Sequence, residues 1–306
     1  MRASDSRSAP RVDTPARIDH YLSRLRGPRR VLVWVVLALL TSVLLSYPVH
    51  LTNQYRPIQA PYIFDNLPLF ASLFCVWLVL VFLLLFSGMQ PRDRLKWEDM
   101  ALAALFGLVF LGFWVVITPN GRYSANLFNM GHVMYLADTG KILVSHPILG
   151  YFDFPGMHLL VSSLSQITGL GVPESAAAFI MFNSVLLSVL LCVLFARILK
   201  DTRLAFLGML LVIMGGTTLV DDLTIFFPRA FGFTLLIASL LVLMRQDGTP
   251  FAEDVSDRLL LVVLFAAMVM SYFATSFLLL FILVGICAVR LIAKDRGMAG
   301  AVTVIV

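Results

Sequence analysis

Long apolar runs separated by short clusters of arginine and lysine are the feature that most constrains this chain. A run of about 18 or more apolar residues is long enough to cross a bilayer as an α-helix. Lipid offers the backbone no hydrogen-bond partner, so a crossing segment must be helical or part of a closed barrel. We therefore expect an all-α, polytopic transmembrane bundle of about eight or nine spans. The runs lie at about 31–48, 67–88, 99–118, 175–196, 204–220, 227–244, 258–270 and 274–293.

The composition supports this class of protein. Hydrophobic residues make up 59% of the 306 residues and charged residues 13%, whereas a soluble domain is roughly 45–50% apolar and about 25% charged. The net charge of +5 comes from clusters between apolar runs, which indicates membrane topology and no nucleic-acid partner. Cys75, Cys192 and Cys287 lie inside apolar runs without CxxC spacing and indicate neither disulfides nor zinc.

Basic clusters orient the predicted spans. Residues 1–30 form a polar, basic tail that we place in the cytoplasm, and 31–298 form the transmembrane domain of a multi-pass cell-membrane protein. Three spans lead to an outer loop, 119–155, in which partial helical spacing predicts a helix lying on the membrane within 124–142. The apolar run 299–306 is expected to start a further, truncated span.

The moderately apolar segment 156–170 allows two topologies. If it crosses fully, the clusters around Arg197–Arg203 and Arg290–Arg296 both fall outside the cell. If it lies along the membrane or dips into it, both clusters fall inside. The second topology agrees with the positive-inside rule at every cluster and is preferred, although the apolar length also permits a short span.

The polar residues of interest gather on the predicted outer face. Asp221 and Asp222 follow a glycine- and threonine-rich helix end, where the backbone could open towards a cavity, or they belong to an ordinary hydrated loop. Arg229 opens a long apolar run and could bind a lipid phosphate, or simply extend to the interface. The histidines of this face, His132, His146 and His158, are widely spaced and predict interfacial polar positions instead of a zinc site.

Three short runs and two later features resemble the GT-C superfamily of polytopic glycosyltransferases that use polyprenyl-phosphate sugars. Residues 131–142 read GHVMYLADTGKI, residues 151–160 read YFDFPGMHLL, and residues 167–170 read ITGL. The run FPRAF at 227–231 opens an apolar helix that ends at Arg245, and Ser271-Tyr272-Phe273 breaks the hairpin 258–293. The resemblance covers about residues 100–293.

The resemblance implies that a sugar is moved from a polyprenyl-phosphate donor to an acceptor at the outer membrane face. In this family a catalytic or metal-binding acid usually lies early in the first large outer loop, but residues 119–137 contain neither Asp nor Glu. That role then falls to Asp138, to Asp153 or to the pair Asp221 and Asp222, with a divalent metal ion as a further expectation. Arg122 and Arg229 are the candidate contacts of the lipid phosphate.

Two other functions compete with sugar transfer. A non-catalytic membrane subunit, or a degenerate relative of the family, is favoured by the missing early acid. A transporter or flippase would need ionisable residues in the middle of its spans. The predicted spans hold almost none, with Asn183 as the clearest polar side chain.

Overall fold

The computed structural model describes residues 28–54, 60–87, 95–111, 124–142, 155–215, 228–244 and 255–292, and every regular element in these ranges is helical. This confirms the predicted all-α class. The helices are α1 (Pro28–Gln54), α2 (Ala60–Ser87), α3 (Trp97–Phe106), α4 (Ser124–Thr139), α5 (Gly156–Thr168), α6 (Val172–Leu199), α7 (Thr202–Gly215), α8 (Pro228–Leu243), α9 (Val255–Ser271) and α10 (Phe273–Ile292), and a π-helical turn, Gly107–Leu111, continues α3.

One helix in the described ranges, α6, is long and apolar enough by length and composition to cross a membrane. Shorter apolar segments, each of 10–17 residues, lie in α1, α2, α7, α8 and α10. Each predicted span overlaps a described helix, although 112–118 and 216–220 lie outside the described residues. The number of spans stays a prediction. The helix predicted within 124–142 is present as α4, and its place on the outer membrane face stays a prediction.

Helix α6 is the centre of the fold, since α3, α4, α5, α7 and α8 all pack against it. Its contact with the π-helical turn depends on small side chains. A Cβ atom added to Gly107 would lie 2.5 Å from the Ser188 hydroxyl oxygen and 2.8 Å from the Ser184 carbonyl oxygen. Small residues that bring backbones this close are typical of helix packing in membranes.

Aromatic side chains fill the core between α2, α3 and α7. Phe74 stacks on Trp77 with ring centroids 5.8 Å apart, and Phe106 meets Phe206 edge to face at 6.3 Å. The Trp77 indole donates a 2.8 Å hydrogen bond to the buried Thr41 hydroxyl on α1. Burying an indole N–H requires such a partner, so this bond also fixes α1 against α2.

Two contacts show that α6 and α8 run parallel. Near their N-termini, Phe179 and Phe231 meet edge to face with centroids 5.3 Å apart. Near their C-termini, the Arg197 guanidinium donates a 3.0 Å hydrogen bond to the Leu241 carbonyl. We call the end of the bundle that carries Arg197, Lys200 and Arg203 the basic end.

The turn at the basic end reverses the chain between α6 and α7. Lys200 closes α6 in the left-handed backbone region, with φ 56°, and its N–H binds the Ala196 carbonyl. The Asp201 carboxylate then accepts hydrogen bonds from the backbone N–H groups of Arg203 and Leu204. This is the N-capping arrangement expected of aspartate at the start of a helix, and it sets α7 antiparallel to α6.

Candidate functional site

The opposite end of the bundle brings α5, α8, α9 and α10 together, and we call it the junction end. Gly156, the first residue of α5, lies directly against the last turn of α9. A Cβ atom added to Gly156 would lie 2.8 Å from the Ser271 hydroxyl oxygen and 3.1 Å from the Met270 carbonyl. The backbones of α5 and α9 therefore approach closely only because this residue has no side chain.

Gly232 makes an equally close contact between α8 and the break that separates α9 from α10. A Cβ atom added to it would lie 3.1 Å from the Tyr272 Cβ atom and 2.8 Å from the Thr275 hydroxyl oxygen. Tyr272 is held at the break from both sides, because its N–H binds the Met268 carbonyl at 2.7 Å and its carbonyl accepts the Thr275 hydroxyl at 2.7 Å. The position of the tyrosine is thus set by α8, α9 and α10 together.

Arg229 completes the junction end. It is the second residue of α8, its side chain is exposed, and its guanidinium carbon lies 5.9 Å from the centroid of the Tyr272 ring. A guanidinium over an aromatic face is attracted by the ring's negative potential. The ring therefore restrains a cation that stays accessible, at a helix start whose backbone also favours negative charge.

A second polar cluster lies between α4 and α5. The His158 Nε2 atom and the Asn129 side-chain oxygen are 3.1 Å apart and both residues are buried, so His158 donates this bond when its proton is on Nε2. The His132 ring meets the His158 ring edge to face at 6.1 Å. The apolar residues around them, Val133, Met157, Val161, Ala176 and Ile180, join α4 and α5 to the start of α6.

Burial decides the charge of these histidines. Burial, together with a smaller contribution from the neighbouring charge of His132, lowers the pKa of His158 to about 4. Burial also lowers the pKa of His132. Near neutral pH His158 is therefore a neutral hydrogen-bonding group that ties α5 to α4. The expectation that both are interfacial polar residues is wrong for His158, which is 4% exposed.

Most of the predicted site residues lie outside the described residues. They are Asp153, in 151–154, Asp221 and Asp222, in 216–227, and Arg122, in 112–123. Asp138 is described: it is exposed near the end of α4, about 9 Å further along the helix axis than His132. Of the predicted phosphate contacts, Arg229 is at the junction end, and its role stays a prediction.

The described junction residues offer no ligand set for a metal ion. Within the described ranges, no group of three or more His, Cys, Asp or Glu side chains could hold one. The junction residues named above carry guanidinium, phenol and hydroxyl groups, which bind anions and neutral polar groups better than divalent cations. The metal site predicted at Asp153, Asp221 and Asp222 lies outside the described residues and stays a prediction.

Among the junction residues, the sequence predicted a site role for Arg229 and for none of the others. Gly156 and Tyr272 belong to runs on which the family resemblance rests, but they were not assigned to the site, and Gly232 was not singled out. A glycine inside a helix costs about 1 kcal/mol relative to alanine and usually has a packing reason. Gly232 therefore indicates a close contact with another helix, but the sequence does not identify the residue that it contacts. Comparison with protein-family models, curated proteins and solved structures found no match.

Proposed function

We propose that this chain is a multi-pass membrane protein of the GT-C type that transfers a sugar from a polyprenyl-phosphate donor at the outer membrane face. One observation carries the proposal: three segments that resemble the family meet at the junction end. Gly156, in the run 151–160, lies against Ser271 at the break of the hairpin 258–293. Arg229, in the run 227–231, lies over Tyr272 at the same break. These residues are up to 116 positions apart in the chain, so their meeting is a property of the fold.

The proposed topology has a cytoplasmic N-terminus and an outer junction end. Helix α5 has 13 residues and is therefore about 20 Å long, shorter than the roughly 30 Å hydrocarbon core. This length supports the topology in which α5 does not cross. Arg197, Lys200 and Arg203 lie at the opposite end from the junction, as the positive-inside rule requires if the junction faces outside.

The proposed chemistry assigns a separate task to each group. Arg229 binds the donor phosphate, whose tail remains in the bilayer, through the paired donors of its guanidinium. A carboxylate removes the proton from the acceptor hydroxyl while the hydroxyl oxygen bonds to the sugar's anomeric carbon. The bond between that carbon and the phosphate oxygen breaks, and the lipid phosphate leaves with its electrons. Asp153, two positions before Pro155, and Asp221 and Asp222, shortly before Pro228, are the proposed sources of this carboxylate and of any divalent metal site.

A non-catalytic membrane subunit is the second candidate. It is favoured by the absence of Asp and Glu from 119–137 and by the lack of a carboxylate among the described junction residues named above. Such a subunit could keep the lipid-phosphate contact without the base. A transporter or flippase is the weaker alternative, because the polar residues buried in the middle of α6, Asn183, Ser184 and Ser188, are all uncharged.

The deciding experiment measures sugar transfer by the purified chain in phosphatidylcholine vesicles. A panel of radiolabelled undecaprenyl-phosphate hexoses and pentoses serves as donor, with membrane glycan extract as acceptor. We expect one donor to lose its label, with transfer reduced about tenfold or more by Arg229→Ala and unchanged by Arg258→Ala on α9. Transfer like that of the wild type in the triple Asn variant of Asp153, Asp221 and Asp222 would remove the catalytic assignment. Donor binding without transfer would favour the non-catalytic subunit.

A further inference from the structure

A pair of histidines lies inside the contact that attaches α4 to the bundle. The His132 and His158 rings meet edge to face with centroids 6.1 Å apart, and the His158 Nε2 atom lies 3.1 Å from the Asn129 side-chain oxygen. His158 and Asn129 are both buried, and Val133 of α4 and Met157 of α5 belong to the apolar cluster beside them. An imidazolium in such surroundings loses hydration that apolar groups do not replace. The docked position of α4 therefore favours uncharged histidines.

Helix α4 is the element that this pair can release. Among the described helices it packs mainly on α5 and less extensively on α6, whereas α5 packs independently on α6 and α9. The contact between α5 and α9, where Gly156 lies against Ser271, does not involve α4. Undocking α4 would therefore hydrate both histidines while α5 stays on the bundle.

The charge that acts on His158 comes from His132. Burial and this neighbouring charge both lower the pKa of His158, and burial lowers that of His132. On the helices packed around the pair, the other ionisable side chains are exposed or lie far along their helices from it. They are Tyr135 and Asp138 on α4, with Lys141 just after it, Glu174, Cys192 and Arg197 on α6, and Asp257 and Arg258 on α9, while Arg229 on α8 and Tyr272 belong to the junction.

We propose that His132 and His158 form a pH-sensitive switch, in which proton uptake by both rings releases α4 from α5. The bond to Asn129 survives protonation, because the His158 Nε2–H still donates. Release follows from the burial of two neighbouring charges, which both become hydrated when α4 undocks. In the proposed topology α4 lies on the outer face, so the switch responds to the pH outside the cell. It operates whether or not the chain transfers sugar.

Two protons make the release steeper than one histidine could. For each proton taken up on undocking, the docking constant changes by at most about tenfold per pH unit. An exposed histidine binds its proton with a pKa of about 6.5, whereas the pKa values of His132 and His158 are both lowered in the docked chain. Docking is therefore complete above about pH 6.5 and weakens as the pH falls towards 4. A slope above one proton is the signature of the pair.

Double electron–electron resonance measures the release in the full chain, held in phosphatidylcholine nanodiscs with its three native cysteines replaced by alanine. Spin labels on cysteines at the exposed positions Met134 on α4 and Leu259 on α9 report the position of α4. Labels at exposed Leu160 on α5 and at Leu259 report the position of α5. As the pH falls from about 7.5 to about 4.5, we expect a second, longer distance for the first pair and no change for the second.

Histidine variants separate the two protons. The docking constant of the wild type should fall by more than about tenfold per pH unit at its steepest, and those of His132→Gln and His158→Gln by no more than about tenfold. His132→Gln should also release α4 at a lower pH, because His158 then has no charged neighbour to disfavour its proton. The double glutamine variant should stay docked throughout. Glu174→Gln is the matched control, since it removes an exposed carboxylate from α6 and should leave the curve unchanged.

Any of four results would overturn the switch. The α4 distance could stay unchanged at the lowest pH, the wild-type slope could be one proton or less, or the double glutamine variant could release α4 in acid as the wild type does. Parallel changes in both label pairs would be the fourth, because they would indicate unfolding of the bundle instead of release of α4. If the double variant does not fold, the slopes of the two single variants still decide.

Discussion

The Arg229 guanidinium carbon lies 5.9 Å from the centroid of the Tyr272 ring and joins the start of α8 to the break between α9 and α10. Cation–π contacts at exposed sites contribute about 0.5–1 kcal/mol. A double-mutant cycle with Arg229→Met and Tyr272→Leu, measured by chemical unfolding in detergent, should give a coupling free energy of that size. Tyr272→Phe keeps the ring and should retain most of the coupling. A coupling near zero, or equal effects of Phe and Leu at 272, would show that the two side chains act independently.

Gly156→Ala should destabilise the junction. The added methyl group would lie 2.8 Å from the Ser271 hydroxyl oxygen and 3.1 Å from the Met270 backbone, so α5 must move away from α9. Overpacking of this kind costs about 1–3 kcal/mol, measurable as a lower thermal midpoint in detergent. Gly131→Ala on α4 is the matched control: nothing lies within 4 Å of the new Cβ atom, and alanine should stabilise that helix by about 0.5–1 kcal/mol. Equal behaviour of the two variants would contradict the close approach of α5 and α9.

His158 should make the contact between α4 and α5 depend on pH. Its pKa is lowered from 6.5 to about 4 in the folded chain, so the unfolded chain binds protons more readily between these values. The stability contributed by neutral His158 is therefore complete above about pH 6.5 and is lost as the pH falls towards 4. Intrinsic amide exchange slows as the pH falls, so the expected change is a fall in the protection factors of the α4 amides over this range. His158→Gln keeps an amide donor for Asn129 but cannot titrate, so protection as pH-dependent as in the wild type would show that another group is responsible.

Thr41→Val tests the 2.8 Å hydrogen bond from the Trp77 indole to the Thr41 hydroxyl, because the two side chains at 41 are similar in size. The variant leaves the buried indole N–H unpaired and should cost about 1–3 kcal/mol. Trp77→Phe removes the same bond but also leaves a cavity where the fully buried indole packs, so its cost exceeds that of the bond. Chemical unfolding in detergent measures both, and an unchanged stability of Thr41→Val would mean that this bond does not hold α1 against α2.

The positions of most helices could be predicted from the sequence. Apolar runs gave the position of α6 to within three residues at each end, because burial in lipid or protein imposes the same requirement on every side chain of the run. The other two bounds were less accurate, since α1 continues six residues beyond its predicted end and α2 begins seven residues before its predicted start. The start of α8 was also evident, since Pro228 is preorganised for the first turn of a helix. Local patterns of this kind need no knowledge of the partner helix.

The contacts at the junction could not be predicted in the same way. Gly156 and Ser271 are 115 positions apart, and nothing local to either residue identifies the other. The pairing of Asn129 with His158 could not be predicted for the same reason. The burial of His158 was also missed, because 156–170 is only moderately apolar and predicts a segment near the membrane surface. The residues predicted to carry chemistry, Asp153, Asp221 and Asp222, follow from the family resemblance and from their positions at predicted membrane entries. Their roles stay predictions.

The central claim is that the end of the bundle carrying Arg229 and Tyr272 faces outside, with the basic end inside. Cysteine labelling in intact cells tests it directly, in a chain whose Cys75, Cys192 and Cys287 are replaced by alanine. Leu170 and Asp201 lie in the turns at the two ends of α6 and would each be replaced by cysteine. A membrane-impermeant maleimide should label a cysteine at position 170 and spare one at position 201 until the cells are permeabilised. Labelling at position 201 with protection at position 170 would contradict the claim, because it would place Arg197, Lys200 and Arg203 outside and the junction end inside.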